Sequence, residues 1–488
     1  MMRSALALRK DPHFGLDSTR SWVVTAFLSF VVAMTLVGQQ AAGVLFYGII
    51  HTYDVSRQRA AWPIVLTSTI PCLSGPLMGY CCSRYSCQAV LFVCTLLAGT
   101  SVGACCFANN ILTLSLLYGV TYGIAEGGVF VSANVLVSQY FDKRRTTACS
   151  LIFTFSALNM VYVPYLTELC RATYGIRGTF LLLGALMLNA FPPVFTLASP
   201  QWLTRQSIGT VVAGSDCEEQ VVQDKREYIL PEDSLPQKLS INEASVVVDG
   251  NAHVKLAETV FARHAELLRC RQVPEEQLQM SHKRDESPQS VLKDFATVKF
   301  VVIALSFSVL GLAMTTFLML AVDLATDRGV APSKAVFLLN AYAAADISVR
   351  PLSGLSIDFG IFPLEGVMFL GFLLQFVACE LLALLKALPL MLASSAVFGV
   401  SNGCRFTLLA PCLVKNFGVE SLPVMMGAVT FCNGLAFLTR PILVGYWRDT
   451  LKTYDGLLHF LAGLNAVLAV VWMAQLYMKK RAPPSQGT

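Results

Sequence analysis

The chain has 488 residues, of which 55% are hydrophobic and 14% charged, whereas soluble domains average about 45–50% and 25%. This excess of apolar residues excludes the soluble, disordered, collagen-like and secreted disulfide-rich classes. The formal net charge is only +5 and the basic residues form no extended stripe, which argues against a nucleic-acid partner. The composition predicts an all-α membrane protein embedded in a lipid bilayer.

Twelve apolar runs of about 20 residues have the length of transmembrane helices. Six precede a polar middle segment, at 22–50, 60–82, 89–108, 111–141, 146–169 and 178–197. Six follow it, at 300–322, 333–357, 363–385, 388–417, 422–446 and 456–477. We number these runs span 1 to span 12. The two sets, 22–197 and 300–477, match in length and number of spans, which predicts a duplicated transporter fold of two six-helix bundles.

Three polar segments flank these bundles, namely an N-tail (1–21), a middle loop (198–299) and a C-tail (478–488). The tightest basic clusters, at 143–145 and 479–481, fall on one side of the predicted topology, and positive loops favour the cytoplasm. Both termini are therefore predicted to be cytoplasmic. The mixed-charge middle loop is predicted to be a largely disordered tether, with a helix over 251–271 as the alternative.

The fifteen cysteines lie mostly in apolar runs, where a thiol acts as a small hydrophobic group. The sequence has no Cys-x-x-Cys pair and no His/Cys cluster with the spacing of metal ligands. It also has no nucleotide-binding fingerprint and no Ser/His/Asp arrangement. The sequence thus predicts no metal, no cofactor and no enzymatic activity.

Charged side chains inside the predicted spans are functional candidates, because each is costly in lipid unless paired or hydrated. Asp346 and Arg350 are four residues apart in span 8, so they share one helical face and can pair. In the functional interpretation the guanidinium binds a substrate carboxylate while the aspartate takes up a proton or holds the arginine. In the alternative interpretation the two form a structural ion pair.

Three further charges lie within spans. Glu126 in span 4 and Arg405 in span 10 occupy spans that correspond after duplication, so they either pair across a cavity or have separate structural roles. Arg440 in span 11 either binds an anion or extends to a membrane face.

Short motifs in both halves resemble those of the monocarboxylate transporters of the major facilitator superfamily. The stretch Tyr140-Phe141-Asp142-Lys143-Arg144-Arg145 resembles their YFxKRR signature, and Asp346 with Arg350 and Pro351 resembles their DxxxRP motif. Asp17 followed by Trp22 resembles the acidic, tryptophan-containing start of their span 1. Gly354 to Asp358 is similar to the GxxxD part of the superfamily's loop motif.

The resemblance implies the major facilitator superfamily fold, with two bundles around a central cavity that opens to each side in turn. It implies that Arg350 binds the carboxylate and that Asp346 is its proton-linked partner. The chain has Gln40 where proton-coupled members have a span 1 lysine, and Arg440 where the family has glycine. A glutamine cannot carry that charge, so the departure leaves proton coupling open.

The leading hypothesis is a secondary carrier of monocarboxylates in the plasma membrane, with Arg350 and Asp346 central and with Gln40, Glu126, Arg405 and Arg440 tuning the cavity. The resemblance also implies protons as a co-substrate and a single-span glycoprotein chaperone as a partner. One alternative is a facilitator of aromatic amino acids or other larger carboxylates that is not coupled to protons. Another is a membrane receptor or scaffold that does not transport.

Overall fold

The computed structural model describes residues 15–55, 57–197, 294–451 and 453–481. Within these ranges all regular secondary structure is helical, and the prediction of a twelve-span, all-α membrane fold is confirmed. The predicted tether, and the alternative helix over 251–271, lie outside the described residues.

Spans 1 to 6 form what we call the N-half. Its helices are Thr19–Thr35, Val37–Gln40 and Ala42–Tyr53 in span 1, Arg57–Leu73 and Gly75–Arg84 in span 2, Cys87–Ala104 in span 3, Ile111–Leu114, the π-helical Ser115–Thr121 and Tyr122–Tyr140 in span 4, Arg145–Ala157 with Asn159–Leu188 in spans 5 and 6, and Phe191–Val194 at the end of span 6.

Spans 7 to 12 form the C-half. Its helices are Val298–Asp327 in span 7, Pro332–Ala335 and Phe337–Asp358 in span 8, Leu364–Leu384 in span 9, Leu388–Phe406 and Leu409–Phe417 in span 10, Leu422–Gly445 and the π-helical Tyr446–Thr450 in span 11, and Asp455–Arg481 in span 12.

Eight of the described helical stretches are long and apolar enough to cross a membrane on their own, or nine if the two helices of span 2, bent by 44°, count as one. Local features explain why the other spans are not counted as separate membrane-crossing helices. Arg145–Val194 contains non-helical Gly175 (φ 69°), which separates span 5 from span 6. Span 1 is divided into shorter helices, and span 8 carries three charges, Asp346, Arg350 and Asp358.

Polar caps and prolines set where the helices begin and bend. Ser18, Ser86, Asn110 and Thr297 each accept a hydrogen bond from a backbone N–H of the first turn that follows, which satisfies a donor left free by the helix. Pro71 lies within the last turn of Arg57–Leu73, next to the bend in span 2, because proline removes a helix hydrogen bond and crowds the preceding turn.

One end of the bundle gathers both ends of the described chain. Near its start, Asp17 binds the turn between spans 4 and 5 at Lys143. Near its end, Lys479 donates to Glu365 of span 9 at 3.0 Å. At the same end of the bundle, Asp358 of span 8 binds the first turn of span 5. We call the end defined by Asp17, Lys143, Asp358, Glu365 and Lys479 the terminal face, and the other end the opposite face.

Within the C-half, an aromatic cluster joins three spans. The Phe317 ring of span 7 stacks on Phe398 of span 10 at 4.4 Å, and Tyr342 of span 8 lies 5.4 Å from Phe317. All three side chains are buried. In lipid such close packing, rather than the exclusion of water, holds helices together.

Candidate functional site: a cavity between the halves

A cavity of about 200 Å³ lies between the two halves. It is lined by spans 1, 2, 4 and 5 of the N-half and by spans 7, 8, 10 and 11 of the C-half. The polar and charged side chains of its wall are Thr35, Gln39, Gln40, Ser68, Glu126, Ser156, Thr315, Arg350, Thr430 and Asn433. The remaining wall is largely apolar, which is the usual composition of a small-molecule site.

The halves contact each other on the terminal-face side of the cavity. Along span 2, Ser68 and Cys72 line the cavity, whereas Gly75 and Gly79, which follow, pack against span 11. Along span 8, Arg350 lines the cavity, whereas Gly354 and Asp358, which follow, contact span 5. The cavity is therefore sealed toward the terminal face.

Arg350 carries the positive charge of the cavity wall. Its Nη2 lies 2.6 Å from Asp346 Oδ2, so the spacing of four residues produces the ion pair that it predicts. Its Nη1 donates to the Phe153 carbonyl of span 5 at 2.9 Å, and its guanidinium lies 4.7 Å from the Phe406 ring centre. Its Nε has no hydrogen-bond partner among the described residues. Arg350 thus joins the two halves and keeps one donor free.

Asp346 is fully buried and does not line the cavity. Its Oδ1 accepts a hydrogen bond from Asn402 Nδ2 of span 10 at 2.9 Å. Asn402 therefore holds the aspartate that in turn holds Arg350. No sequence pattern predicts the role of Asn402, because its contact depends on how spans 8 and 10 are rotated against each other.

Glu126 lines the cavity from the N-half. Only 6% of its surface is exposed, and its Oε2 has no hydrogen-bond partner among the residues that the structure describes. Its backbone is fixed by close packing, because a Cβ on neighbouring Gly127 would lie 2.5 Å from the Pro71 carbonyl oxygen of span 2. The carboxylate therefore belongs to a wall that has little room to move.

Gln40 also lines the cavity, next to Gln39. Both belong to the short helix Val37–Gln40, where span 1 is divided. Two tyrosines of span 4 hold this division. Tyr122 Oη donates to the Thr35 carbonyl at 2.9 Å and accepts from the Gln39 N–H at 3.0 Å, and Tyr118 Oη donates to the Gly38 carbonyl at 2.6 Å. Sequence reasoning missed both tyrosines.

Arg405 does not meet Glu126, so the predicted pair across the cavity is wrong in this conformation. Arg405 is fully buried within the C-half and is absent from the cavity wall. Its Nη2 donates to Gln375 Oε1 of span 9 at 2.8 Å, and its guanidinium lies 4.2 Å from the Phe372 ring centre. Helix rotation directs the side chain toward span 9, because Gly371 there leaves room for it.

Arg440 is 8% exposed and is likewise not part of the cavity wall. It follows the lining residues Asn433 and Phe437 along span 11, toward the opposite face. Its role in substrate binding therefore stays a prediction, because in this conformation the Arg440 side chain does not reach the cavity wall.

The motif residues of the N-half assemble at the terminal face. The Asp17 carboxylate accepts hydrogen bonds from the backbone N–H groups of Asp142, Lys143 and Arg144 at 3.0–3.3 Å. The Asp17 N–H donates to the Tyr140 carbonyl at 3.1 Å, and the Trp22 ring packs on Phe141 at 4.9 Å. Arg145 donates to the Ser138 carbonyl at 3.3 Å. These residues fix the turn between spans 4 and 5.

The C-half motif residues bind the same turn from the other side. The Asp358 carboxylate accepts from both the N–H and the hydroxyl of Thr147, each at 2.7 Å. Thr147 lies in the first turn of Arg145–Ala157, where a negative charge is favoured by the helix dipole. Gly354 permits the approach, because a Cβ there would lie 2.5 Å from Ser150 Oγ. Pro351, between these residues and Arg350, lies within the helix of span 8.

The residues that the structure describes include no group of three or more His, Cys, Asp or Glu side chains that could hold a metal ion. The charges at the cavity are thus those of Arg350, its partner Asp346 and Glu126. Such a site can bind and orient a small charged solute between two bundles.

The sequence and fold have clear relatives. Residues 26–231 match the family model of the Major Facilitator Superfamily. Monocarboxylate transporter 3 of Gallus gallus is 23% identical over 98% of this chain and 84% of its own length. Monocarboxylate transporter 9 of Rattus norvegicus is 24% identical over 98% of both chains.

The fold is also similar to that of a solved transporter, the proton:xylose symporter XylE bound to 6-bromo-6-deoxy-D-glucose. The TM-score is 0.67 over 95% of this chain and 96% of that one, at 14% identity. Family and fold are those of transporters rather than enzymes. The motifs, the cavity between two six-helix halves and these relatives agree: the chain is a multi-pass membrane protein with the fold of the major facilitator superfamily, and it is similar to the monocarboxylate transporters.

Proposed function

We propose that the protein is a secondary carrier of carboxylate-bearing solutes in the plasma membrane and that it works by alternating access. The observation that carries this proposal is Arg350, a cation that lines the cavity, is 3% exposed and has an Nε without a partner among the described residues. A guanidinium presents several donors in a planar fork that suits a carboxylate.

Substrate binding would act on the seal between the halves. Arg350 Nη1 donates to the Phe153 carbonyl of span 5, so a carboxylate that draws the guanidinium into the cavity competes with that hydrogen bond. The contact between spans 5 and 8 would then weaken when solute is bound. A ligand shifts a conformational equilibrium only through such a difference in binding between the two states.

We infer that the terminal face is cytoplasmic. The basic residues Lys143, Arg144 and Lys479 lie there, and positively charged loops favour the cytoplasmic side. Because the cavity is sealed toward the terminal face, the described conformation is then the one that faces outward.

Proton coupling is the finer part of the proposal. In this version of the proposal Asp346 takes up the proton, and its protonation weakens the ion pair that holds Arg350. The second candidate function is uncoupled, facilitated transport, and it is favoured by Gln40, whose amide lines the cavity and does not exchange a proton in this way.

Uptake of labelled lactate, pyruvate, a ketone body, tryptophan and creatine into cells that express the protein, with and without an inward proton gradient, tests both candidates. A symporter accumulates solute when the gradient is imposed, whereas a facilitator only equilibrates it. Co-expression of a single-span glycoprotein then shows whether surface delivery needs such a chaperone.

The role of Arg350 is tested by Arg350→Ala, with Arg350→Lys as the matched variant that keeps the charge and loses the fork. We expect Arg350→Ala to lower uptake by about 100-fold, which corresponds to about 3 kcal/mol of lost binding. Because the change leaves Asp346 buried without its partner, the double variant with Asp346→Asn serves as the control for folding and surface level. Uptake at the wild-type rate in Arg350→Ala would overturn the assignment.

A further inference from the structure

The two walls of the cavity carry opposite charges. Glu126 of the N-half is the one carboxylate, and Arg350 of the C-half the one cation, among the described residues that line it. Glu126 is 6% exposed and its Oε2 lacks a hydrogen-bond partner among those residues. A buried acceptor in this state is costly unless a ligand or water satisfies it.

The net charge at the cavity restricts what can bind. Asp346 already neutralises Arg350 through their ion pair, so Glu126 in its ionised form leaves one negative charge in excess. A simple monocarboxylate would bring a second negative charge into the same small space. A solute that carries both a carboxylate and a cationic group adds no net charge and can supply the missing partner of Glu126.

Three aromatic rings line the cavity together with the two charges. Phe130 lies 5.4 Å from Phe153, and Phe153 lies 5.5 Å from Phe406, and all three line the cavity. These rings offer an apolar surface beside the polar groups, which favours a solute with an apolar body.

We propose that the cavity selects amphipathic zwitterions, with the solute carboxylate on Arg350 and its ammonium or guanidinium group on Glu126. This inference rests on the proposed function, since it takes Arg350 to be the carboxylate contact. It assigns to Glu126 the recognition of the cationic end. A solute bound in this way bridges the N-half and the C-half and is held by one charge from each.

Two matched pairs of solutes test the inference, phenylalanine with phenyllactate and 4-guanidinobutyrate with butyrate. The members of each pair share a carboxylate and differ in the cationic group. We expect the wild-type protein to take up the zwitterion of at least one pair about tenfold faster or more than its partner, as expected for a lost charge-assisted contact. Glu126→Gln, which is nearly isosteric, should remove that preference, because it removes both the contact to the cationic group and the negative charge that disfavours phenyllactate and butyrate.

Glu168→Gln is the control, because Glu168 is exposed and pairs with Arg171 away from the cavity. It should change neither solute's uptake. The inference is overturned if the wild-type protein takes up the simple carboxylates as fast as the zwitterions. It is also overturned if Glu126→Gln, present at the surface, keeps the wild-type preference. If neither kind of solute enters through the wild-type protein, the proposed function itself has failed.

Discussion

The two contacts that seal the cavity differ in chemistry. Between span 5 and spans 8 and 10 the seal is polar, with Asp358 of span 8 bound to Thr147 and the hydroxyls of Ser150 and Thr407 of span 10 3.0 Å apart. Between spans 2 and 11 it is steric, because Gly75 and Gly427 bring the two backbones together.

The difference separates two tasks. The polar seal contains Arg350, which also lines the cavity, so it can respond to a charged solute. The contact between Gly75 and Gly427 has no charged side chain, and it sets instead how closely the halves can approach. In a carrier that alternates between two states, one contact can thus sense the solute while the other defines the closed geometry.

The largest effect should come from filling the glycine seal. A Cβ at Gly427 would lie 2.4 Å from the Gly75 carbonyl oxygen, so Gly427→Leu should prevent closure toward the terminal face. Overpacking of about 1–3 kcal/mol predicts a roughly 5- to 150-fold loss of initial uptake rate. Gly43→Leu is the matched control, because a Cβ at Gly43 meets no atom within 4 Å. Equal uptake by the two variants at equal surface level would refute the steric role.

A smaller effect is expected at the polar seal. Asp358→Asn removes a charge at the start of Arg145–Ala157 that comes from the other half, whereas Asp17→Asn removes one that comes from the same half. Each charge is worth about 1 kcal/mol. Only Asp358→Asn should weaken the closed state, in which the polar and the glycine seals form together, and it should therefore raise the amide hydrogen-exchange rates of residues 424–430 up to about fivefold. If Asp17→Asn raises exchange there equally, the two carboxylates have no separate roles.

The smallest effect should follow the loss of one hydroxyl between the halves. Ser150→Ala breaks the Ser150–Thr407 hydrogen bond and should shift the balance between the two states by about 0.5 kcal/mol, read as a roughly twofold change in the same exchange rates. Ser132→Ala is the control, since the Ser132 hydroxyl donates only within its own helix, to the Gly128 and Val129 carbonyls. An unchanged exchange rate in Ser150→Ala would show that this hydrogen bond does not contribute to the seal.

The sequence predicts what depends on spacing along one helix and fails for what depends on neighbouring helices. The Asp346–Arg350 pair follows from a spacing of four residues, and it forms. The Glu126–Arg405 pair required a guess about helix rotation, and Arg405 instead contacts Gln375 of span 9. The twelve spans follow from the length of apolar runs, because backbone groups in lipid must bond within the helix.

The division of span 1 could not be predicted in the same way. It occurs at Leu36 and Ala41, around a short helix that contains no proline. Its stability depends on hydroxyl groups from span 4, which lie some 80 residues away in sequence. Local composition does not encode such long-range support.

The tyrosine contacts to span 1 bear on how recognition could change in evolution. Tyr122 holds the backbone beside Gln39 and belongs to the same helix as Glu126, one turn earlier. The amide of Gln40 and the carboxylate of Glu126 are therefore parts of one template whose spacing span 4 sets. A descendant with another solute preference could keep both halves and their seals, and alter only the two side chains that this template presents.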